Sequence, residues 1–451
     1  MKWLSLIFFT IVLSLPVTTA NAADWKERTE NPGYIHRAVK QVSDVIVYDI
    51  YSPAVASRTY SYMCIAAYEA VIHSEPGHNS FAGQLKQLMP LPQPQKNKEY
   101  SFTLAAVNAI LLIGNSMVIS EEKIKDFRTK LLEEFKQDGI PEEVFNNSIS
   151  FGQQIADHIL SWASNDFYKQ TRSMPKYAVS EAAGTWKPTP PAYMKAIEPN
   201  WSKIRTFVID SSQQFKPAPA TVFSYDKNSD FYKEALAVHD AGNGLTREQI
   251  AIASFWDCNP FKMNISGHVM YATKKISPGG HWINITRLAC EKTNANVVKT
   301  AEAYACLSVI ISDAFSTCWD EKYRSNVIRP ETYINEYIDA AWMPLLQTPP
   351  FPEYTSGHSI VSSSASVFLT KYFGDNFTFV DSTELEFGLP SREFTSFKQA
   401  AEEAAISRFY GGIHYMPAIE NGFKEGMVLG KFIVGKLKMR NDEVISGMNI
   451  K

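Results

Sequence analysis

Residues 296–323, NVVKTAEAYACLSVIISDAFSTCWDEKY, decide the fold. The stretch has no proline or glycine, and its apolar residues return at helical spacing instead of alternating. It predicts a long, mostly apolar helix. Working outward, the same period recurs. Residues 55–72 are rich in Ala, Tyr and Met, and residues 100–117 are apolar on a wide face. Ser120-Glu121-Glu122 opens a charged amphipathic helix that runs to Gln137 and is ended by Asp138-Gly139. Pro141 suits the first position of the next helix, which reaches Trp162. Further helices are expected to resume near Phe231 and over 246–256, 357–372, 396–410 and 418–438. Strand alternation is nearly absent.

Between Tyr168 and Asp226 the pattern changes. Trp186-Lys187-Pro188-Thr189-Pro190-Pro191 and Lys216-Pro217-Ala218-Pro219 mark loop. The aromatic residues Trp186, Tyr193 and Trp201 argue that this loop is ordered. The expected class is all-α: two helical bundles of the four-helix type with a long Pro-rich connection. The N-terminal bundle and connection would span 23–228, and the C-terminal bundle, which carries the site, 229–451.

The 451 residues are 45% hydrophobic and 20% charged, an ordinary globular balance. A net charge of −3 over this length gives no surface for nucleic acid, so any anion site is local. Lys2, the apolar run Trp3 to Leu15 and the small-x-small sequence Ala20-Asn21-Ala22 read as a signal peptide over 1–22, with export to the periplasm or beyond. The run is too short for a membrane span. Five cysteines, Cys64, Cys258, Cys290, Cys306 and Cys318, include no C-x2-C pair. They read mostly as core residues, with a disulfide open in an exported chain.

Three segments carry chemistry. In Lys322-x6-Arg329-Pro330 the two cations lie close to two helical turns apart, with Arg329 expected at the helix end because of Pro330. In Thr355-Ser356-Gly357-His358, Ser356 is placed to cap a helix, Gly357 lets its N–H approach a ligand, and His358 stands at the rim as a proton carrier. In Ser407-Arg408-x5-His414 a second guanidinium precedes a glycine turn that leaves room around His414. Taken singly, each segment also fits a solvated cationic face or a plain helix cap. Together they describe a site for a tetrahedral or trigonal-bipyramidal oxyanion.

These motifs resemble the signature of the superfamily joining type 2 phosphatidic acid phosphatases, class A bacterial acid phosphatases and vanadium-dependent haloperoxidases. Thr355 stands where the family usually has Pro. Trp319 before Lys322, Pro349-Pro350-Phe351-Pro352-Glu353-Tyr354 leading into Ser-Gly-His, Trp256-Asp257 and Gly280-His281-Trp282 are similar to the haloperoxidase branch, and most similar to flavobacterial vanadium iodoperoxidases. The resemblance implies vanadate as cofactor, with His414 as its single protein ligand. It further implies Lys322, Arg329, Arg408, Ser356 and Gly357 around the oxygens, and Asp257 holding Arg408. His358 would take a proton from hydrogen peroxide, Lys322 would polarise the peroxide, and Trp319 and Phe351 would shape the halide approach. The implied reaction oxidises iodide, with bromide as a second halide, to hypohalous acid that halogenates organic acceptors. The alternative is an exported acid phosphatase with a phosphohistidine at His414. Ala418, where many relatives carry an orienting Asp, counts against the phosphatase and leaves open what orients His414; Glu420 is nearby in sequence. His281 is at most a supporting residue. His36, His73, His78, His158, His239 and His268 show no partner spacing.

Overall fold

Capping chemistry sets the helix boundaries. A computed structural model describes residues 24–441, Gly267 excepted; the expected signal peptide over 1–22 and Ala23 lie outside the described residues. The first half contains α1 (Asp24–Thr29), α2 (Gly33–Tyr48), α3 (Pro53–Val71), α4 (Phe102–Met117), α5 (Glu121–Gln137), α6 (Glu142–Ser164) and α7 (Tyr168–Thr171). The second half contains α8 (Asp230–Asn243), α9 (Arg247–Phe255), α10 (Pro278–Lys292), α11 (Val297–Ser325), α12 (Pro330–Tyr337), α13 (Gly357–Phe373), α14 (Phe397–Tyr410) and α15 (Met416–Lys436). Ser52, Ser101, Ser229, Thr246, Ser277, Asn296, Ser356 and Ser396 each accept a backbone N–H at a helix start. Pro141 is the residue before α6, not its first.

Two short hairpins escaped the periodicity reading. β1 (Lys262–Ser266) pairs antiparallel with β2 (Val269–Thr273), and β3 (Phe379–Asp381) with β4 (Arg392–Phe394). Strands this short show too few alternations to stand out. Helix α10 was also hidden, because Pro278-Gly279-Gly280 looks like a turn; Ser277 caps it and Pro278 fits its first position.

The architecture is all-α, and one apolar core runs through both halves of the chain. Tyr60, Met63 and Ile65 of α3 share it with Ile310, Ala314 and Phe315 of α11. Ser61 Oγ of α3 donates to the carbonyl of Ser308 at 2.8 Å and lies 2.9 Å from Ser312 Oγ, satisfying a buried hydroxyl where the two helices meet. The Pro-rich stretch is tied to α11. Buried Asp313 accepts N–H bonds from Phe207, Val208 and Ile209 at 2.7, 2.8 and 3.1 Å. Trp186 and Trp201 are buried as expected of an ordered connection, whereas Tyr193 is exposed. All five cysteines are free and buried. Among the described residues no helix is long and apolar enough to cross a membrane.

The site-bearing helix α13 lies backbone to backbone against α15. Gly422, Gly426 and Gly430 recur every four residues on α15 and face α13. A Cβ on Gly426 would come within 2.3 Å of the Ile360 carbonyl and 2.1 Å of Ser363 Oγ, and one on Gly422 within 3.1 Å of the Ser356 carbonyl. Gly426→Ala should therefore push the helices apart and cost about 1–3 kcal/mol. Gly435→Ala, which meets nothing within 4 Å, should be neutral or gain up to about 1 kcal/mol of helix propensity. Urea denaturation of the two variants checks the contrast.

Candidate active site

Six short pieces of chain bring the three sequence motifs around one cavity. They are the end of α11, the start of α12, the turn 349–356, the start of α13, the end of α14 with the turn after it, and the segment following α9. Lys322 and Arg329 do not share a helix as the spacing suggested. Helix α11 ends at Ser325, Asn326 takes a left-handed conformation (φ 51°), and Arg329 precedes α12 with Pro330 in its first turn. Pro330 does hold Arg329 extended, for the expected steric reason.

Lys322 is fully buried. Its ammonium donates to the carbonyls of Pro352, Glu353 and Thr355 at 3.1, 3.0 and 2.6 Å. That accounts for all three of its hydrogens. Lysine therefore pins the turn 352–355 while lending the cavity a fixed positive charge. Arg329, also fully buried, donates from Nε to the Phe351 carbonyl at 2.9 Å and from Nη1 to the Ile413 carbonyl at 2.8 Å. Arg408 donates from Nη1 to the Trp256 carbonyl at 2.5 Å. Each guanidinium keeps a buried nitrogen with no partner: Nη2 of Arg329 and Nε of Arg408.

The arginines fix the histidine tautomers. Arginine can only donate, so His414 Nε2, 3.2 Å from Arg329 Nη1, is the acceptor. The His414 proton is then on Nδ1, which donates to Glu353 Oε1 at 2.7 Å. The backbone N–H of Tyr415 donates to the same oxygen at 3.0 Å. By the same reasoning His358 Nε2, 2.9 Å from Arg408 Nη1, carries a lone pair. Burial first, then the neighbouring cations, hold both imidazoles well below the usual histidine range. Burial pushes Glu353 up to about 7 against the pull of Arg329 and Lys322. It brings Lys322 down to about 8.

Glu353 is the residue that sequence reasoning missed. It stood in the quoted proline-rich turn, but only the fold shows that a lone acid there reaches across to His414. The open question left by Ala418 is thereby answered: Ala418 instead gives its carbonyl to the Ser356 N–H at 3.0 Å, and Glu420 is exposed. Asp257 is also placed differently from the expectation that it holds Arg408. Its carboxylate pairs with Lys275 at 2.7 Å, and it acts on Arg408 through its field alone.

Ser356 Oγ accepts the Ser359 N–H at 3.3 Å, which leaves its own hydrogen free to donate. A Cβ on Gly357 would meet nothing closer than Cys318 Sγ at 3.8 Å, so the cavity is open there. Gly357, His358, Arg408 and His414 line the cavity with Trp319 and Phe351. The Phe351 ring lies 5.1 Å from both Lys322 Nζ and Arg329 Cζ, and its centroid is 5.0 Å from that of Trp319.

Unpartnered guanidinium nitrogens, a free hydroxyl hydrogen, an open glycine and a neutral imidazole lone pair fit an oxyanion whose central atom accepts a histidine ligand. Comparison with known proteins agrees. A solved bacterial vanadium-dependent iodoperoxidase is 49% identical, covering 92% of this chain and 98% of its own, with a TM-score of 0.87. The chain belongs to the vanadium-dependent haloperoxidases. The family profile described as the VCPO second helical-bundle domain matches residues 302–443. Holo- and apo-type bacterial vanadium-dependent chloroperoxidases share the fold at 15% and 14% identity. They cover 86% and 85% of this chain and 93% and 94% of theirs, each with a TM-score of 0.66. No curated protein matches.

As a haloperoxidase of this family the protein is an enzyme that uses vanadate as cofactor. Two expectations follow from the site. Glu353→Gln should keep the fold but weaken vanadate binding by about 10–100-fold, because it removes the carboxylate that fixes the His414 tautomer; equilibrium dialysis reads the loss. Lys322 is charged below its pKa of about 8, so anion affinity should fall as pH rises through that value. Tungstate, whose own charge is constant over this range, is the suitable probe, and Lys322→Met should flatten the profile.

Proposed function

We propose that the enzyme oxidises iodide with hydrogen peroxide to hypoiodous acid, with bromide as a second halide. The observation that carries this reading is the His414 tautomer: Nε2 carries a lone pair beside the cavity, met by Arg329 Nη1 at 3.2 Å, a contact that a permanent oxyanion cofactor would replace. Similarity to an iodoperoxidase over nearly the whole chain supports the choice of halide. Bound vanadate supplies a Lewis-acidic centre that activates peroxide. The chain supplies the rest. Glu353 keeps the His414 proton on Nδ1 and so its lone pair on Nε2. Arg329 and Arg408 offer their unpartnered nitrogens to negative oxygens, and Ser356 offers its hydroxyl. His358, neutral and lining the cavity, takes a proton from peroxide at Nε2, the atom that Arg408 Nη1 contacts at 2.9 Å. Trp319 and Phe351 wall the approach of halide. Overall one peroxide oxygen passes to iodide, which loses two electrons, and the other leaves as water after one proton is taken up from solvent.

Because Glu353 provides an orienting carboxylate, Ala418 no longer separates this reading from a phosphatase, and activity must do so. Protein freed of vanadate should oxidise iodide only after vanadate is restored. His414→Ala should lose vanadate and activity together. His358→Ala should keep vanadate yet lose about 10²–10⁴-fold in kcat. Phosphate-ester turnover with no vanadate-dependent iodide oxidation would overturn the proposal. The leader pattern at 1–22 supports an exported enzyme, with hypohalous acid formed outside the cytoplasm.

A further inference from the structure

Behind one wall of the cavity a second set of donors converges on His281. The ring is fully buried on the first turn of α10. Its Nε2 is 2.7 Å from Asp381 Oδ2. Its Nδ1 is flanked by Cys258 Sγ at 3.6 Å and Glu384 Oε1 at 3.1 Å. Cys258, His281 and Glu384 come from the segment after α9, from α10 and from the turn between β3 and β4. Their donor atoms nonetheless lie within 4.8 Å of one another. Both flanking side chains are 2% exposed. A single N–H cannot serve two flanking atoms, and Glu384 Oε1 makes no hydrogen bond at all. That carboxylate oxygen, buried 3.1 Å from His281 Nδ1, converges with the Cys258 thiol on one point, an arrangement that a metal ion can share.

We propose that Cys258 Sγ, His281 Nδ1 and Glu384 Oε1 bind one divalent metal ion of the zinc class, separate from the vanadate site. Thiolate, imidazole and carboxylate together suit a borderline-soft ion and not calcium or magnesium. Zinc bonds of about 2.0–2.3 Å in a tetrahedron place ligand atoms about 3.2–3.7 Å apart, close to the 3.6 and 3.1 Å that separate Cys258 Sγ and Glu384 Oε1 from His281 Nδ1. Asp381 does what a supporting carboxylate does at such sites: it accepts the Nε2–H and orients the ring, so that Nδ1 presents its lone pair once its own proton has left. Asp381 is itself held, its Oδ1 accepting from the Thr383 N–H at 3.0 Å and hydroxyl at 2.6 Å. On binding, Cys258 Sγ and His281 Nδ1 give their protons to solvent, and thiolate plus carboxylate balance the ion's charge.

The site would brace the anion cradle. The Trp256 ring stacks on His281 with centroids 4.5 Å apart, and the Trp256 carbonyl is the one that holds Arg408. The test is metal content. Full-length protein equilibrated with zinc and then dialysed should retain one zinc per chain by mass spectrometry. Cobalt in its place should give a thiolate charge-transfer band. Cys258→Ser should abolish that band, and the near-isosteric Glu384→Gln should weaken zinc binding by about 10–100-fold with an unchanged circular dichroism spectrum. His414→Ala should keep the zinc while losing vanadate. Wild-type protein that holds no zinc or cobalt above trace would overturn the proposal, as would equal zinc retention in wild type, Cys258→Ser and Glu384→Gln.

Discussion

Burying three cations around one cavity is the constraint on which the rest of this structure depends. Lys322, Arg329 and Arg408 are all but inaccessible to water, and charge removed from water must be answered by fixed dipoles or by counter-charge. The chain answers most of it with main-chain carbonyls. Six are used: those of Pro352, Glu353 and Thr355 for lysine, Phe351 and Ile413 for Arg329, and Trp256 for Arg408. Two buried guanidinium nitrogens, Nη2 of Arg329 and Nε of Arg408, are left for an anion. Both histidines stay neutral in this field, which is the form each needs. A tightly held oxyanion should therefore also stabilise the fold, by about 2.7 kcal/mol at a hundred times its Kd.

This arrangement explains why the site is built from helix ends and turns. Helix interiors have no carbonyls to spare, whereas the turn 351–355 has its carbonyls free to point at cations. The same turn carries Glu353, whose carboxylate contacts His414. A single irregular segment thus fixes Lys322, Arg329 and His414 together. Its position is in turn set by α13, whose first residues are locked to α15 through the glycine row.

Much of this was legible in the sequence. Helical periodicity and caps gave the all-α class and most helix limits to within a few residues, because long apolar faces and Ser or Thr caps are local signals. Arg408, Gly357 and both histidines line one cavity, and Arg329 contacts His414 beside it. What was hidden depends on distant contacts. Nothing local shows that Glu353 reaches His414, that Lys275 takes Asp257, or that α11 stops at Asn326 and sends Arg329 into the next helix. Nor does the spacing Cys258, His281, Glu384 announce a cluster, since it closes only when α10 packs beside the β3–β4 turn.

The Phe351 ring has a consequence for attempts to re-shape the cavity. Its face lies over both Lys322 and Arg329, so its electron-rich surface tempers the positive charge that an incoming anion meets. An aliphatic residue of similar bulk would preserve the room yet strip that screen. Size and field at the entrance are thus coupled through one side chain, and selectivity among halides cannot be tuned there by volume alone.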